Sequence, residues 1–244
     1  MRIAIVSSPR SGNTWLRRIL VNGLELEEIA VHNYLEVSRL PDQCVLQVHW
    51  YREPNFQRFL TDNGFKVITL ARHPLDVLLS VLHFIKYEPQ TARWLEGNCR
   101  LPEELRGCGP CSHLFREYAL SFGCENLLSA SYQWNHDDAA LRVKYEDLVL
   151  DTAFELERIS NFIGISAQPL KNALKVTALE SFQALPNRHG WQGRPGLWRE
   201  LIPYNIANEI YSRHITVFRA LGYEVEPNSL TYDGAERRWL ELAR

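Results

Sequence analysis

The first 24 residues place a short apolar run before a polar, glycine-containing turn, and this turn before an amphipathic helical pattern. Residues 3–6 are rich in β-branched side chains, which is typical of a buried parallel strand. Apolar side chains recur at helical spacing over residues 15–24. A strand that enters a helix in this way points backbone N–H groups and the positive end of the helix dipole into one concavity. Residues 1–24 contain four arginines and no acidic residue, so we predict a site for a phosphate-like anion.

Composition limits the class of protein. The 244 residues, 45% of them hydrophobic, are enough for one sizeable α/β core. A formal net charge of -2 gives no general attraction to nucleic acid or to an acidic membrane surface, and we expect neither as a partner. No apolar run approaches the roughly 18 residues that span a bilayer, and no signal-peptide pattern follows the first residue. We therefore expect a soluble, cytoplasmic protein, and its oligomeric state stays open.

Strand and helix patterns alternate along the chain. Residues 44–48 and 66–71 are predicted as buried strands and residues 141–145 as a shorter one, with helical patterns between and after them. This alternation predicts an α/β fold with a central parallel β-sheet flanked by helices, in a single domain over residues 1–244.

Three polar side chains fall at or just beyond the carboxyl ends of the predicted strands. They are Arg10, His49 and Arg72. In parallel sheets of this kind the ligand lies beyond the carboxyl ends of the strands. These side chains are therefore candidates for one site.

Residues 87–136 interrupt the alternation, and we interpret them as an insertion or lid over the site. They include a predicted helix from 112 to about 133 and four of the five cysteines. Free thiols in a reducing cytoplasm are the simplest interpretation of these cysteines. Because Cys108 and Cys111 have CxxC spacing, a structural zinc site, a disulfide and a redox pair stay open as alternatives.

The turn before the first helix differs from a Walker A loop, which requires a lysine directly after its second glycine. Here Gly12 is followed by Asn13 and Thr14, and the basic residue, Arg10, precedes the glycine. ATP and GTP are therefore not the first choice. The order Pro-Arg-Ser-Gly-Asn-Thr-Trp at residues 9–15 instead resembles the 5′-phosphosulfate loop of sulfotransferases that use 3′-phosphoadenosine-5′-phosphosulfate (PAPS).

A second motif, residues 72–80, resembles the element of that family that binds the 3′-phosphate. An arginine ends a strand and a serine follows eight residues later. Ser80 lies two turns along the predicted helix, where its hydroxyl can join the Arg72 guanidinium on one phosphate. Asp76 is expected to serve the N-terminus of this helix rather than the ligand.

Further segments resemble the family in the same order along the chain. His49 lies where cytosolic members carry the general-base histidine of a lysine-threonine-histidine run, although Gln47 replaces the lysine. Tyr145 matches a tyrosine that borders the adenine. Phe182, within residues 180–182, matches an aromatic ring that lines the adenine pocket opposite Trp15.

The late segment at residues 193–198 is similar to the family's glycine-rich loop that helps to hold the 3′-phosphate. This similarity implies roles for Gly193 and Arg194. The arginine-lysine pair that usually precedes the loop is absent here, so Arg188 or Arg194 is expected to replace it. Arg10 stands where cytosolic members usually have lysine.

The resemblance implies a P-loop-type, three-layer PAPS-dependent sulfotransferase. It would transfer the sulfuryl group of PAPS to a hydroxyl of a small molecule, natural product or sugar, leaving 3′-phosphoadenosine-5′-phosphate (PAP). Another P-loop nucleotide phosphotransferase and a non-catalytic nucleotide-binding protein are the alternatives. The implied catalytic residues are His49 and Arg10, no metal is expected, and the implied nucleotide-binding residues are Arg10, Ser11, Gly12, Asn13, Thr14, Trp15, Arg72, Ser80, Tyr145, Phe182, Gly193 and Arg194.

Overall fold

The computed structural model of the chain describes residues 1–178, 182–185 and 190–243. It divides into two compact units. The first, which we call the sheet unit, comprises Met1–Arg72 and Ser129–Ala178. The second, the helical unit, comprises His73–Leu128 and the described residues after 181.

Five strands of the sheet unit form one parallel sheet within the described part of the chain. Their order across the sheet is β2-β3-β1-β4-β5, so β1 lies at the centre. The parallel sheet is as predicted, but β2 was not predicted, because its side chains are largely exposed at the sheet edge and form no apolar run. The strands are β1 (Arg2–Ser7), β2 (Glu27–Val31), β3 (Cys44–Val48), β4 (Phe65–Ala71) and β5 (Leu141–Lys144).

Helices precede and follow the strands, and short 3-10 segments occur at Tyr34–Glu36, Pro89–Gly97, Glu103–Leu105 and Leu174–Val176. The α-helices of the described residues are α1 (Asn13–Leu24), α2 (Pro54–Asp62), α3 (Pro74–Phe84), α4 (His113–Ala119), α5 (Phe122–Trp134), α6 (Tyr145–Leu150), α7 (Thr152–Ile163), α8 (Gln168–Ala173), α9 (Trp198–Leu201), α10 (Tyr204–Arg213), α11 (Ile215–Leu221) and α12 (Tyr232–Leu242).

Both faces of the sheet are buried. On one face, strand side chains such as Ile5 and Ile68 pack with α1, α7 and α8 in one apolar cluster. The alternate strand residues, such as Leu46, are equally buried and belong to the opposite face. Aromatic side chains, among them Phe56 of α2 and Trp134 of α5, pack edge to face at 5.5 Å in the sheet unit. The predicted α/β class, a parallel sheet flanked by helices, is confirmed.

The predicted helix at 112–133 and two other helical stretches are each broken in two. The helix expected from 112 to about 133 ends at Ala119, and α5 begins only at Phe122. The helix that follows β5 is interrupted at Asp151, whose carboxylate caps α7 by accepting from the Phe154 N–H at 3.1 Å. Near the C-terminus, α10 ends at Arg213 and His214 breaks the helix. The His214 ring is hydrogen-bonded to the Ala119 carbonyl oxygen, with nitrogen and oxygen 2.7 Å apart. Local capping and one long-range hydrogen bond override the continuous apolar pattern in these places.

All five cysteines are free thiols, so the disulfide alternative is wrong. Cys44, Cys99 and Cys124 are buried, whereas Cys108 and Cys111 are partly exposed. In the described ranges, no group of three or more His, Cys, Asp or Glu side chains is placed to hold a metal ion. None of the helices in these ranges is both long and apolar enough to cross a membrane.

Candidate active site

The loop between β1 and α1 bends through two left-handed residues. Arg10 has φ +66° and Gly12, the N-cap of α1, has φ +99°. A Cβ on Gly12 would lie 2.6 Å from the ring of Tyr145, so the position requires glycine for space as well as for its backbone angle. Because Gly12 has no side chain with which to cap α1, the first-turn N–H groups keep their affinity for an anion.

Buried hydroxyl and amide groups hold the loop in place. The Asn13 side chain is hydrogen-bonded to the Ser7 hydroxyl and donates to the Ser8 carbonyl oxygen at 3.1 Å. Ser131 of α5 accepts from the Ser8 N–H at 2.9 Å and donates to the Leu70 carbonyl oxygen at 2.6 Å. The side chain of Asn13 therefore supports the loop, and only the backbone N–H of Asn13 is a candidate to contact a ligand. Ser131 was not predicted, because its partners lie 61 and 123 residues away in the chain.

Two arginines lie side by side at the strand ends. One terminal nitrogen of Arg72 donates to the Arg10 carbonyl oxygen at 3.2 Å, and its guanidinium lies 4.5 Å from the ring centroid of Tyr145. Trp15 packs edge to face with Tyr145, with the two ring centroids 6.5 Å apart. Burial and the charge of Arg72 lower the pKa of Arg10 to about 9, so Arg10 is still a cation at neutral pH. An anion bound here would relieve the repulsion between the two guanidinium groups.

Two buried polar atoms at this position lack a hydrogen-bond partner among the described residues. They are the hydroxyl oxygen of Ser11 and the Nε of Arg72. Buried polar atoms nearly always have a hydrogen-bond partner in folded proteins. Two buried donors without one, next to the Arg10 cation, therefore suit a ligand with several acceptor oxygens. The residues present therefore fit a phosphate or phosphosulfate group.

His49 lies directly after β3 and is buried, with 8% of its surface exposed. Its Nδ1 is 2.9 Å from the Ser7 carbonyl oxygen, which can only accept, so Nδ1 carries the hydrogen and Nε2 carries the lone pair. Burial is the main cause that lowers the pKa of His49 to about 4, with smaller contributions from the nearby His32, Arg17 and Arg10 and an opposing one from the hydrogen bond to Ser7. The ring is therefore neutral at pH 7 and able to accept a proton at Nε2.

The other predicted site residues belong to the helical unit. Ser80 is buried on α3, and Phe182 is buried with its carbonyl oxygen accepting from the Gly190 N–H. Arg194, which follows Gly193, makes a two-pronged ion pair with Glu200, and this hydrogen bonding raises the pKa of Arg194. Glu180, Ser181 and Arg188 lie outside the described residues.

Asp76 has a role that differs from the expected one. Its carboxylate accepts from the Gly196 N–H at 2.6 Å and from the Trp198 N–H at 2.9 Å. It therefore anchors residues 193–198 and the start of α9, 120 residues farther along the chain, in addition to its place in the first turn of α3. Only the folded chain reveals this contact, because nothing local to residue 76 indicates its distant partners.

Solved structures of low identity share this fold. A crystal structure of a mouse sulfotransferase complexed with PAP matches with a TM-score of 0.67 and 18% identity, over 89% of this chain and 84% of that one. A retinol dehydratase in complex with androsterone and PAP matches with a TM-score of 0.61 and 15% identity, over 95% and 82%.

Sequence relatives point to the same family. Flavonol 3-sulfotransferase of Flaveria bidentis is 20% identical over 243 residues, covering 86% of this chain and 72% of that protein. Cytosolic sulfotransferase 12 of Arabidopsis thaliana is 22% identical over 260 residues, covering 85% and 74%. The family model of the sulfotransferase domain matches residues 1–189. The chain thus belongs to the sulfotransferase domain family, a class of enzymes that use PAPS as their sulfuryl donor.

Proposed function

We propose that His49 is the general base for sulfuryl transfer from PAPS to an acceptor hydroxyl. The observation that supports this role most strongly is the fixed, neutral imidazole, in which Nδ1 is bonded to Ser7 and Nε2 carries the lone pair that a base needs. As the acceptor oxygen bonds to sulfur, its proton passes to Nε2. The bond from sulfur to the 5′-phosphate oxygen breaks, and that oxygen keeps the electron pair on the departing PAP.

Arg10 is proposed to bind the 5′-phosphate and to neutralise charge on the leaving oxygen. Backbone N–H groups of residues 11–15 would bind the same phosphate at the start of α1. The Arg10 cation and the unsatisfied Ser11 hydroxyl support this assignment. Stabilisation of charge by groups already in place is the main contribution that a protein makes to transfers of this type.

The remaining assignments rest on the sequence motifs. Arg72 and Ser80 are proposed to hold the 3′-phosphate, which distinguishes PAPS from ATP. Trp15, Tyr145 and Phe182 are proposed to contact the adenine, and the edge-to-face packing of Trp15 with Tyr145 supports the first two. Gly193 and Arg194 are also proposed to help to hold the 3′-phosphate. To do so, Arg194 must release Glu200 and bind the phosphate instead.

The acceptor is proposed to be a hydroxylated small molecule, natural product or sugar. The names of two relatives support this class: one acts on a flavonol, and one was solved with androsterone. Residues 87–136 are proposed as the lid over the acceptor.

The cytoplasm is proposed as the location of the protein, because the Arabidopsis relative is named cytosolic.

Thermal unfolding with PAP and with ADP tests the donor site. PAP at a hundred times its dissociation constant should stabilise the fold by about 2.7 kcal/mol, and ADP, which lacks the 3′-phosphate, should stabilise it less at the same concentration. Equal stabilisation by the two nucleotides would reject the two-phosphate site and favour a general nucleotide-binding protein.

The base is tested separately by transfer from sulfur-labelled PAPS to a panel of hydroxylated acceptors. His49→Ala should abolish transfer, while stabilisation by PAP is retained because the phosphate loop is intact. Unchanged turnover in this variant would reject His49 as the base without affecting the donor site.

A further inference from the structure

A chain of polar side chains runs across the sheet unit from Glu28, at the exposed edge of the sheet, to the buried His49. Glu28 of β2 forms an ion pair with Arg17 of α1, with Oε1 and Nε 2.9 Å apart. Arg17 donates from a terminal nitrogen to Oε1 of Gln47 on β3 at 2.6 Å. The amide nitrogen of Gln47 then lies 3.4 Å from Nε2 of His49. Arg17, Gln47 and His49 are each less than 10% exposed.

The orientation of the Gln47 amide follows from this chain. A guanidinium has only donors, so the Gln47 oxygen must face Arg17 and the NH₂ group must face His49. At the other edge of the ring, the Ser7 carbonyl oxygen fixes the hydrogen on Nδ1. The His49 ring is therefore held from both sides, with a donor directed at the nitrogen that has to accept the proton.

This arrangement disfavours a proton on Nε2. A protonated Nε2 would face the N–H groups of Gln47, donor against donor, and the amide cannot turn over without losing its short bond to Arg17. The charged groups that act on the ring are His32, Arg17 and Arg10, all cationic or neutral. The Glu28 carboxylate is paired with both Arg17 and Arg18.

We propose that Gln47, locked by Arg17, is a positioning residue that holds the His49 ring and keeps Nε2 unprotonated in mildly acidic conditions, until the acceptor hydroxyl takes the place of the Gln47 amide at Nε2. The proposal rests on the proposed role of His49 as base. It assigns a function to the position where the resemblance had indicated only the replacement of a lysine by Gln47.

Two variants of Gln47 separate this role from a structural one. Gln47→Leu removes the donor, and Gln47→Glu offers an acceptor to a protonated ring at nearly the same size. The acidic limb of kcat/KM should move to higher pH in both, by one unit or more in Gln47→Glu, because a carboxylate near an imidazolium stabilises it. The KM for PAPS should stay within about twofold, because the phosphate loop is unchanged. Gln168→Leu, at an exposed position of α8, is the matched control and should leave the limb in place.

Nitrogen NMR of histidine in the ligand-free protein provides a readout that does not depend on activity. His49 of the unchanged protein should show a neutral ring with hydrogen on Nδ1 down to about pH 5. In Gln47→Glu the same ring should titrate at least one pH unit higher. The proposal is overturned if both variants keep the original limb and the original titration of His49, even when their turnover falls. A fully active His49→Ala variant would instead reject the base itself.

Discussion

His49 links the proposed chemistry to stability, because the same burial that keeps its ring neutral makes folding depend on pH. In the unfolded chain a histidine titrates near 6.5, whereas burial lowers the pKa of folded His49 to about 4. Between these values the unfolded state binds the proton and the folded state does not. Folding is therefore favoured by this residue above pH 6.5 and loses that contribution as pH falls toward 4.

Urea unfolding at pH 8 and at pH 5 measures this effect. From the two pKa values, His49 alone should reduce the free energy of unfolding by about 2 kcal/mol between these pH values. His49→Gln, which does not titrate, should lose that part of the pH dependence. An equal pH dependence in the two proteins would show that His49 takes up its proton equally in both states.

The candidate site residues were predicted from strand ends and sequence motifs, and they remain predictions. Arg10, His49 and Arg72 follow predicted strands, and the structure places all three in the sheet unit. The supporting residues were not predictable. Ser131 and Arg17 act through hydrogen bonds to residues 123 and 30 positions away, and neither distance follows from a local pattern.

At the level of elements, the start of α1 depends on the absence of a side chain at residue 12. Gly12→Ala would combine a positive φ of 99° with a contact of 2.6 Å to Tyr145. Gly64 also has positive φ, at 67°, but a Cβ there would meet nothing within 4 Å.

This pair of glycines separates backbone strain from crowding. Gly64→Ala should lower the free energy of unfolding by about 1 kcal/mol, the cost of a left-handed alanine. Gly12→Ala should lower the free energy of unfolding by about 3 kcal/mol and weaken PAP binding, because the loop between β1 and α1 must shift. Chemical denaturation and PAP titration of the two variants give these values. Equal losses in both would mean that the Tyr145 contact relaxes freely.

The anchoring of residues 193–198 by Asp76 gives a second prediction at this level. Asp76→Ala leaves the N–H groups of Gly196 and Trp198 without the carboxylate, at a cost of about 3 kcal/mol. Hydrogen exchange at these two amides should accelerate, and the KM for PAPS should rise if this loop binds the 3′-phosphate. Asp62→Asn, an exposed carboxylate at the end of α2, is the control. Unchanged exchange at Gly196 and Trp198 would contradict the anchoring role.

For the molecule as a whole, the state of the thiols reports on both compact units. Three cysteines are buried, and burial raises the pKa of Cys99 to about 12 and that of Cys124 still higher. Cys111 is partly exposed, but burial and Glu236 raise its pKa to about 11. Thiolate is the reactive form, so accessibility and pKa together set the rate of modification.

Reaction with a thiol reagent at pH 8 should follow this order. Cys108 should react first and Cys111 more slowly, whereas Cys44, Cys99 and Cys124 should react only on unfolding. Mass spectrometry of the labelled peptides identifies each cysteine, and Cys108→Ser should remove the fast phase. The melting temperature should not depend on reductant, because all five residues are already thiols. Rapid labelling of Cys99 or Cys124 in the folded protein would contradict their burial.

Local patterns in the sequence are enough to predict the class of sheet, which the structure confirms, and to predict where an anion would bind. Buried parallel strands require continuous apolar runs, and an anion loop requires glycine and cations next to a helix start, so both leave local marks at residues 1–24 and 44–76. The edge strand β2 left no such mark, because its side chains meet solvent and only its backbone pairs with β3.

The polar groups that support the candidate site are recognisable only in the folded chain. The Glu28–Arg17–Gln47–His49 chain and the contacts of Asp76 and Ser131 join residues from separate elements. Their hydrogen bonds exist only once the sheet and helices have brought distant backbone into reach. The side chains concerned are ordinary polar residues in the sequence, so their function is set by burial and by partners that folding alone supplies.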